Sequence, residues 1–181
     1  MGELIELDQR RRALMAKKGF DGWKRRFPDN FSEDTRIEDL SDATLGALVQ
    51  PGEESGSVIN EFVMGVKGLG HAAQFHALGP VEKMALTDIS IFVLDQLRFE
   101  CMRRLRWIET YPGRDAPLLD LVEQFFNDFS CYKNETPPLA PSHSRYTEFL
   151  GLFEGDRGAF VRKLIPEAID IFKKRVRRDE A

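Results

Sequence analysis

This chain of 181 residues has two cysteines and three histidines, so most of the common metal and thiol chemistries lack their ligands. Cys101 and Cys131 form no Cys-x-x-Cys pair, and neither His-Glu-x-x-His nor Glu-x-x-His occurs. Zinc, zincin and ferritin-like di-iron sites are therefore unprovided for, and no metal or cofactor is expected. A serine hydrolase would need a Gly-x-Ser-x-Gly elbow, which is absent. Long apolar runs are missing too. The longest stretch without a charged residue, Gly68 to Val81, contains two histidines, three glycines, a glutamine and a proline. A membrane span needs about 20 mostly apolar residues, so none is expected. The opening Met-Gly-Glu-Leu-Ile-Glu carries no basic-then-apolar secretory pattern, and Glu6 stands where a myristoylation motif wants Ser or Thr. Two cysteines in this context suggest a reducing, cytoplasmic location.

Charge is plentiful and unevenly laid out. Residues 9–28 hold eight Lys/Arg and one Asp, whereas residues 29–61 hold one Arg and nine Asp/Glu. Residues 157–181 hold eight Lys/Arg and four Asp/Glu. The formal net charge of −4 thus hides a basic segment beside an acidic one.

No segment alternates with the period of a strand, and no internal repeat recurs. The spacing predicts an all-α fold, an irregular bundle of six to eight helices. Leu4, Leu7, Leu14 and Met15 are the sparse apolar set of a first helix, and Trp23 and Phe27 could be buried by one helical turn. A short helix is expected near 37–50. Pro51 to Ser57 reads as a linker, with Ser57 capping a helix whose stripe runs through Ile59, Phe62, Val63, Val66, Leu69, Ala73 and Ala77. Gly79-Pro80 then primes a long central helix, about 81–110, apolar all round between Ile89 and Leu97. Asp115 can cap a helix carrying Leu118, Leu121, Val122, Phe125, Phe126, Phe129 and Tyr132. A final helix covers Phe160 to Val176, with Pro166 kinking or restarting it. The organisation expected is a charged helical arm over 1–50, a linker over 51–57 and a helical core over 58–181.

Candidate sites follow from residues that fit this scheme poorly. Three glycines at 65, 68 and 70 would cost a helix about 3 kcal/mol. Close helix approach, local unwinding, or an anion site formed by Lys67, His71 and Gln74 would each account for them. Asp88 and Asp95, seven apart inside an apolar stretch, call for a salt bridge from a neighbouring helix or a functional pocket. Metal-binding pairs on one helix sit three or four apart, whereas His71 and His76 are five apart. Cys131 could find a base only in His143, across a proline-rich loop. Pro138-Leu-Ala-Pro141 satisfies the minimal Pro-x-x-P pattern without its usual basic neighbour and reads as a connector between helices. The basic run Arg10, Arg11, Arg12, Lys17, Lys18, Lys24, Arg25, Arg26, with Trp23 among them, could meet an acidic protein, a second copy or a nucleic acid. Alternatively it could be neutralised by the acidic segment beside it.

In the C-terminal third, Val122-Glu-Gln-Phe-Phe-Asn-Asp-Phe129 is followed by the proline-rich loop with His143, by Glu148-Phe-Leu150 and by Phe160-Val-Arg-Lys-Leu-Ile-Pro166. This order resembles the TorD/NarJ-type chaperones that mature molybdenum enzymes. The resemblance implies an all-helical protein that binds client peptides. It does not extend to residues 1–110, and Ser142 stands where that family has an Asp before the loop histidine. The reading reached from sequence is a cytoplasmic, non-enzymatic helical protein acting by binding a protein partner or itself, in an adaptor or regulatory role. The alternatives are a client-binding chaperone, or a small-molecule or anion binder or enzyme with its site near Lys67, His71, Asp88 and Asp95.

Overall fold

A computed structural model describes residues 2–125 and 135–179. Within them the chain forms eight α-helices: α1 (Gly2–Gly19), α2 (Asp21–Arg26), α3 (Asp42–Leu48), α4 (Glu53–Lys67), α5 (Pro80–Arg104), α6 (Leu118–Glu123), α7 (Tyr146–Leu150) and α8 (Glu154–Asp179). Short 3₁₀ turns cover Ile37–Asp39 and Ala72–Ala77. The one trace of extended pairing among the described residues is an isolated bridge between Arg36 and Pro117. The protein is all-α, an irregular bundle.

Helix α5 is its axis and packs against α3, α4, α6 and α8. Its first turns are wet, with Val81 and Met84 exposed. From Leu86 onward Ile89, Phe92, Val93, Leu97, Phe99 and Met102 are buried. The rod is shorter than the expected 81–110. Arg106 takes a positive φ of 62°, and the Trp107 amide donates to the Met102 carbonyl at 2.8 Å. That is the six-to-one closure that ends a helix.

Helix α4 also stops early. Gly68 adopts φ 69°, and the Leu69 amide donates to the Met64 carbonyl at 2.9 Å, the same closure. The continuous helix expected to reach Ala77 is therefore broken, and Ala73 and Ala77 are exposed rather than part of its apolar stripe. Gly65 has a different reason to be glycine. A Cβ there would lie 2.5 Å from the Lys18 carbonyl oxygen and 2.9 Å from the Gly19 Cα, because α1 and α4 cross with their backbones nearly touching.

The stretch expected as a linker is instead mostly helix. Gly52, not Ser57, precedes the first turn, the Ser55 hydroxyl donates to the Gly52 carbonyl at 3.2 Å, and Glu53 and Glu54 sit where the helix dipole favours acids. Asp115 caps nothing, since α6 begins after Pro117 and its Leu118 amide donates to the Thr35 carbonyl at 2.8 Å. On α6 and just after it, Leu118, Leu121, Val122 and Phe125 are buried as the stripe requires. Phe126, Phe129, Cys131 and Tyr132 lie outside the described residues. Helix α8 runs through Pro166 as one element, six residues longer at its start than the expected Phe160.

One hydrophobic cluster extends from Ala16 to Phe172. Phe20, Trp23, Phe31 and Phe62 form an aromatic knot in it, with centroids 4.8–5.7 Å apart. The Trp23 indole N–H, which must find an acceptor when buried, donates to the Val58 carbonyl at 3.1 Å. Residues of the expected arm thus share a core with the later helices.

Candidate functional site

The structure sorts the basic run by side-chain type. Arg10 pairs with Glu6, Arg11 with Glu123, Arg12 with Asp120 and Arg25 with Asp21, while Arg25 and Arg26 both lie 3.7 Å from Glu61. Arg12 is the best held. Its Nη1 is 2.5 Å from Asp120 Oδ1, and that hydrogen bond keeps its pKa raised. By contrast Lys17, Lys18 and Lys24 are exposed and have no side-chain partner among the described residues, and the same holds for Lys67. Trp23, which could have stacked on a base, is fully buried.

Three of these lysines converge. Where α1 crosses α4, Leu14, Lys17, Lys18, Gly65, Gly68 and His71 line a cleft of about 410 Å³. Beside it is a second hollow of about 300 Å³, lined by Arg11, Lys18, Lys67 and Glu123 and sharing Leu14, Gly65 and Gly68. The glycines form part of the lining of both. The acids that line the two hollows, Asp21, Glu61 and Glu123, are already paired with arginines. The free charge around the cleft is therefore that of Lys17, Lys18 and Lys67.

An apolar stripe leads into this cleft. At 100° per residue Leu4, Leu7 and Leu14 fall within a sector of about 80° on α1, with the buried Ala16 at least about 120° from each of them. Their exposures are 72%, 62% and 51%, and every residue from Leu4 to Arg11 is exposed. The first two turns of α1 thus stand clear of the body with their leucines uncovered.

The residues suggested as a small-molecule site lie apart. Gln74 Oε1 accepts from the His71 amide at 3.1 Å and starts the 3₁₀ turn. Asp95 is buried, accepting from Arg162 at 2.6 Å and from Arg98 at 3.3 Å, so a neighbouring helix supplies its salt bridge. Asp88 is half-buried. No hydrogen bond or ion pair links Lys67, His71, Asp88 and Asp95 to one another among the described residues. Nor is any group of three or more His, Cys, Asp or Glu among them arranged to hold a metal ion.

Two further polar clusters lie outside the sequence candidates, although Glu100 precedes Arg103 and Arg104 by the three and four residues that place side chains on one helix face. Glu100, fully buried, accepts from Arg103 Nε and Nη2 at 2.8 Å each and from Arg104 Nε at 2.7 Å. Arg104 reaches on to Asp42 at 2.5 Å and to the Leu40 and Glu38 carbonyls at 2.8 and 3.2 Å. The proline-rich loop closes over the end of α5, where the Ala140 amide donates to the Trp107 carbonyl at 2.7 Å. There the His143 ring meets the Trp107 ring edge-on at 4.6 Å. Partial burial lowers the His143 pKa.

No helix among the described residues is long and apolar enough to cross a membrane. No family model, curated protein or solved structure matches the chain.

Proposed function

We propose that this protein acts by binding a partner protein along α1 and the cleft beside it, in an adaptor or regulatory role. The partner presents an acidic segment with apolar anchor residues. The observation that carries this reading is the division within the basic run: its arginines are all engaged within the chain, its lysines are free, and the free lysines flank an uncovered leucine stripe. Leucines between cations suit an amphipathic helix or peptide better than a nucleic acid, whose phosphates reward rows of cations. A buried free thiol at Cys101 is compatible with a reducing compartment such as the cytoplasm. A client-binding chaperone would be one form of such a binder.

Affinity purification from the native cell, with the wild type and with Lys17→Glu/Lys18→Glu/Lys67→Glu, tests the proposal. The wild type should retain a protein that the triple variant loses and that rising salt releases. Recovery of the same proteins by both, or of nucleic acid in their place, refutes it. The three side chains are exposed and unpartnered, so the variant should melt within about 0.5 kcal/mol per site of the wild type. Light scattering across a concentration series identifies the case in which the partner is a second copy.

A further inference from the structure

An acidic segment with apolar anchors, the kind of partner that suits the lysine cleft, is present on the chain itself. Before Gln9, α1 holds three acids, Glu3, Glu6 and Asp8, and no Lys or Arg, whereas residues 9–19 hold five Lys/Arg and no acid. The helix is therefore polarised, acidic at its start and basic at its end. The acidic start also carries Leu4, Ile5 and Leu7, all exposed. Glu6 pairs with Arg10 one turn on, and Asp8 has no ion pair among the described residues.

This start cannot serve the lysines of its own chain. Glu6 and Lys17 sit on one continuous helix, about 16 Å apart along its axis at 1.5 Å per residue. A second copy can bring the two ends together, because reversing one helix against another sets each acidic start beside a basic end.

We propose that the chain forms a homodimer in which the two α1 helices lie antiparallel about a two-fold axis. This rests on the reading of α1 and its cleft as a protein-binding surface, and it names the partner. With the axis near residue 10, Leu14 of each copy falls between Leu4 and Leu7 of the other, on the face the three leucines share. The acidic start of each helix then runs alongside Lys17 and Lys18 of the other. Such an interface is isologous, with every contact made twice. A parallel pair would instead set acid against acid and lysine against lysine. Pairing also covers the first two turns of α1, and helical turns without a packed face are marginal in water. A helix of this length spans about 27 Å, which makes the interface a small one and the dimer a weak one.

Sedimentation equilibrium of the full chain tests this. In about 0.05 M salt the wild type should dimerise with a dissociation constant of about 1–100 μM, and about 0.5 M salt should weaken it at least about tenfold. Lys17→Glu/Lys18→Glu and Glu6→Lys/Asp8→Lys each bring like charges together at both ends of the pair, so each should be monomeric where the wild type is dimeric. Mixed one to one, the two variants face each other with opposite charges at both ends and should form a heterodimer. The four side chains are exposed, and thermal melts matching the wild type verify the fold of each variant. A wild type still monomeric at about 0.5 mM, a variant that dimerises as the wild type does, or a mixture that stays monomeric overturns the proposal. A monomeric wild type that nevertheless retains from the native cell an acidic protein lost by Lys17→Glu/Lys18→Glu/Lys67→Glu overturns the homodimer alone and leaves the cleft as a binding surface for another chain.

Discussion

Replacing Arg104 by methionine should be among the most damaging single changes on the surface of α5. Methionine keeps much of the side chain's length and apolar stem, so what is lost is the guanidinium. That group joins the buried Glu100, Asp42 and the carbonyls of Glu38 and Leu40, and through them pins the 37–42 segment to the axis of the bundle. Removing one member of a buried ion pair costs about 3–5 kcal/mol. For a chain of this size that corresponds to a melting point lower by about 6–20 °C. Glu100→Gln should cost less, about 1.5–3 kcal/mol, because Arg104 keeps Asp42 and the carbonyls and Arg103 is already 26% exposed. Combining the two should cost less than their sum by about 0.5–3 kcal/mol, the coupling expected of direct partners. Urea denaturation, followed by helical circular dichroism, measures all four proteins. The pH dependence is fixed in sign. Burial pushes the Glu100 carboxyl up, but the hydrogen bonds from Arg103 and Arg104 outweigh it and hold the pKa below its ordinary 4.5. Its contribution is therefore complete above that value and fades as pH falls through the lowered one, so the gap between wild type and Glu100→Gln should narrow in acid. An Arg104→Met variant within about 1 kcal/mol of wild type, or strictly additive effects, would refute the role of Arg104 as a hub.

Two glycines of α4 should respond in opposite directions to alanine. Gly56 is exposed, and a methyl group added there would meet nothing within 4 Å, so Gly56→Ala should stabilise by about 0.4–1 kcal/mol, whereas Gly65→Ala forces the α1 and α4 backbones apart and should destabilise by about 1–3 kcal/mol; urea denaturation of both decides. His143 has a pKa lowered from 6.5 by partial burial, so the fold binds fewer protons there than the unfolded chain, and stability should fall as pH drops through the ordinary histidine range and level off below the lowered value. Melting curves of wild type and His143→Gln between about pH 7.5 and 5 should differ in that slope, and parallel curves would show that the ring titrates freely.

Helix periodicity made most of the architecture legible, because a helix must bury an apolar stripe whatever its neighbours are. Trp23, Phe62, Phe92 and Leu121 reach the core as their spacing demands. What spacing missed were endings made by backbone geometry. Arg106 closes α5 in a conformation that non-glycine residues seldom take, and nothing in its identity announces it. Gly65 and Gly68 look alike in the sequence, yet one permits a helix crossing and the other terminates a helix. The linker reading of 51–57 failed because Glu, Ser and Gly are common both in loops and in the first turn of a helix. Asp95 was recognisable as an acid needing a partner, but the partner, Arg162, is distant in the chain. The cleft of Lys17, Lys18 and His71, with Lys67 at the hollow beside it, was equally hidden. It joins two segments read as separate candidates, and only the crossing at Gly65 brings them together.

That crossing bears on why the basic run is built from two kinds of cation. An arginine presents several donors at fixed angles; Arg11 meets Glu123 of α6, and Arg12 meets Asp120 of α6 and the Glu33 carbonyl, holding the C-terminal half of α1 on the body. A lysine is a single mobile charge with a strongly hydrated head, poorly suited to fixing a helix and well suited to meeting a surface that is not always there. If the run served only to neutralise the neighbouring acidic segment, lysines and arginines would share the acids of residues 29–61. Instead Asp29, Glu38, Asp39, Asp42 and Glu61 are taken up by Arg25, Arg26, Arg36, Arg104 and Arg114 or by turn and cap hydrogen bonds, and the remaining acids of the segment, Glu33, Asp34, Glu53 and Glu54, meet no lysine among the described residues. Internal ion pairing therefore accounts for the arginines, while the lysines beside the leucine stripe stay open to the external acidic segment that the proposed function calls for.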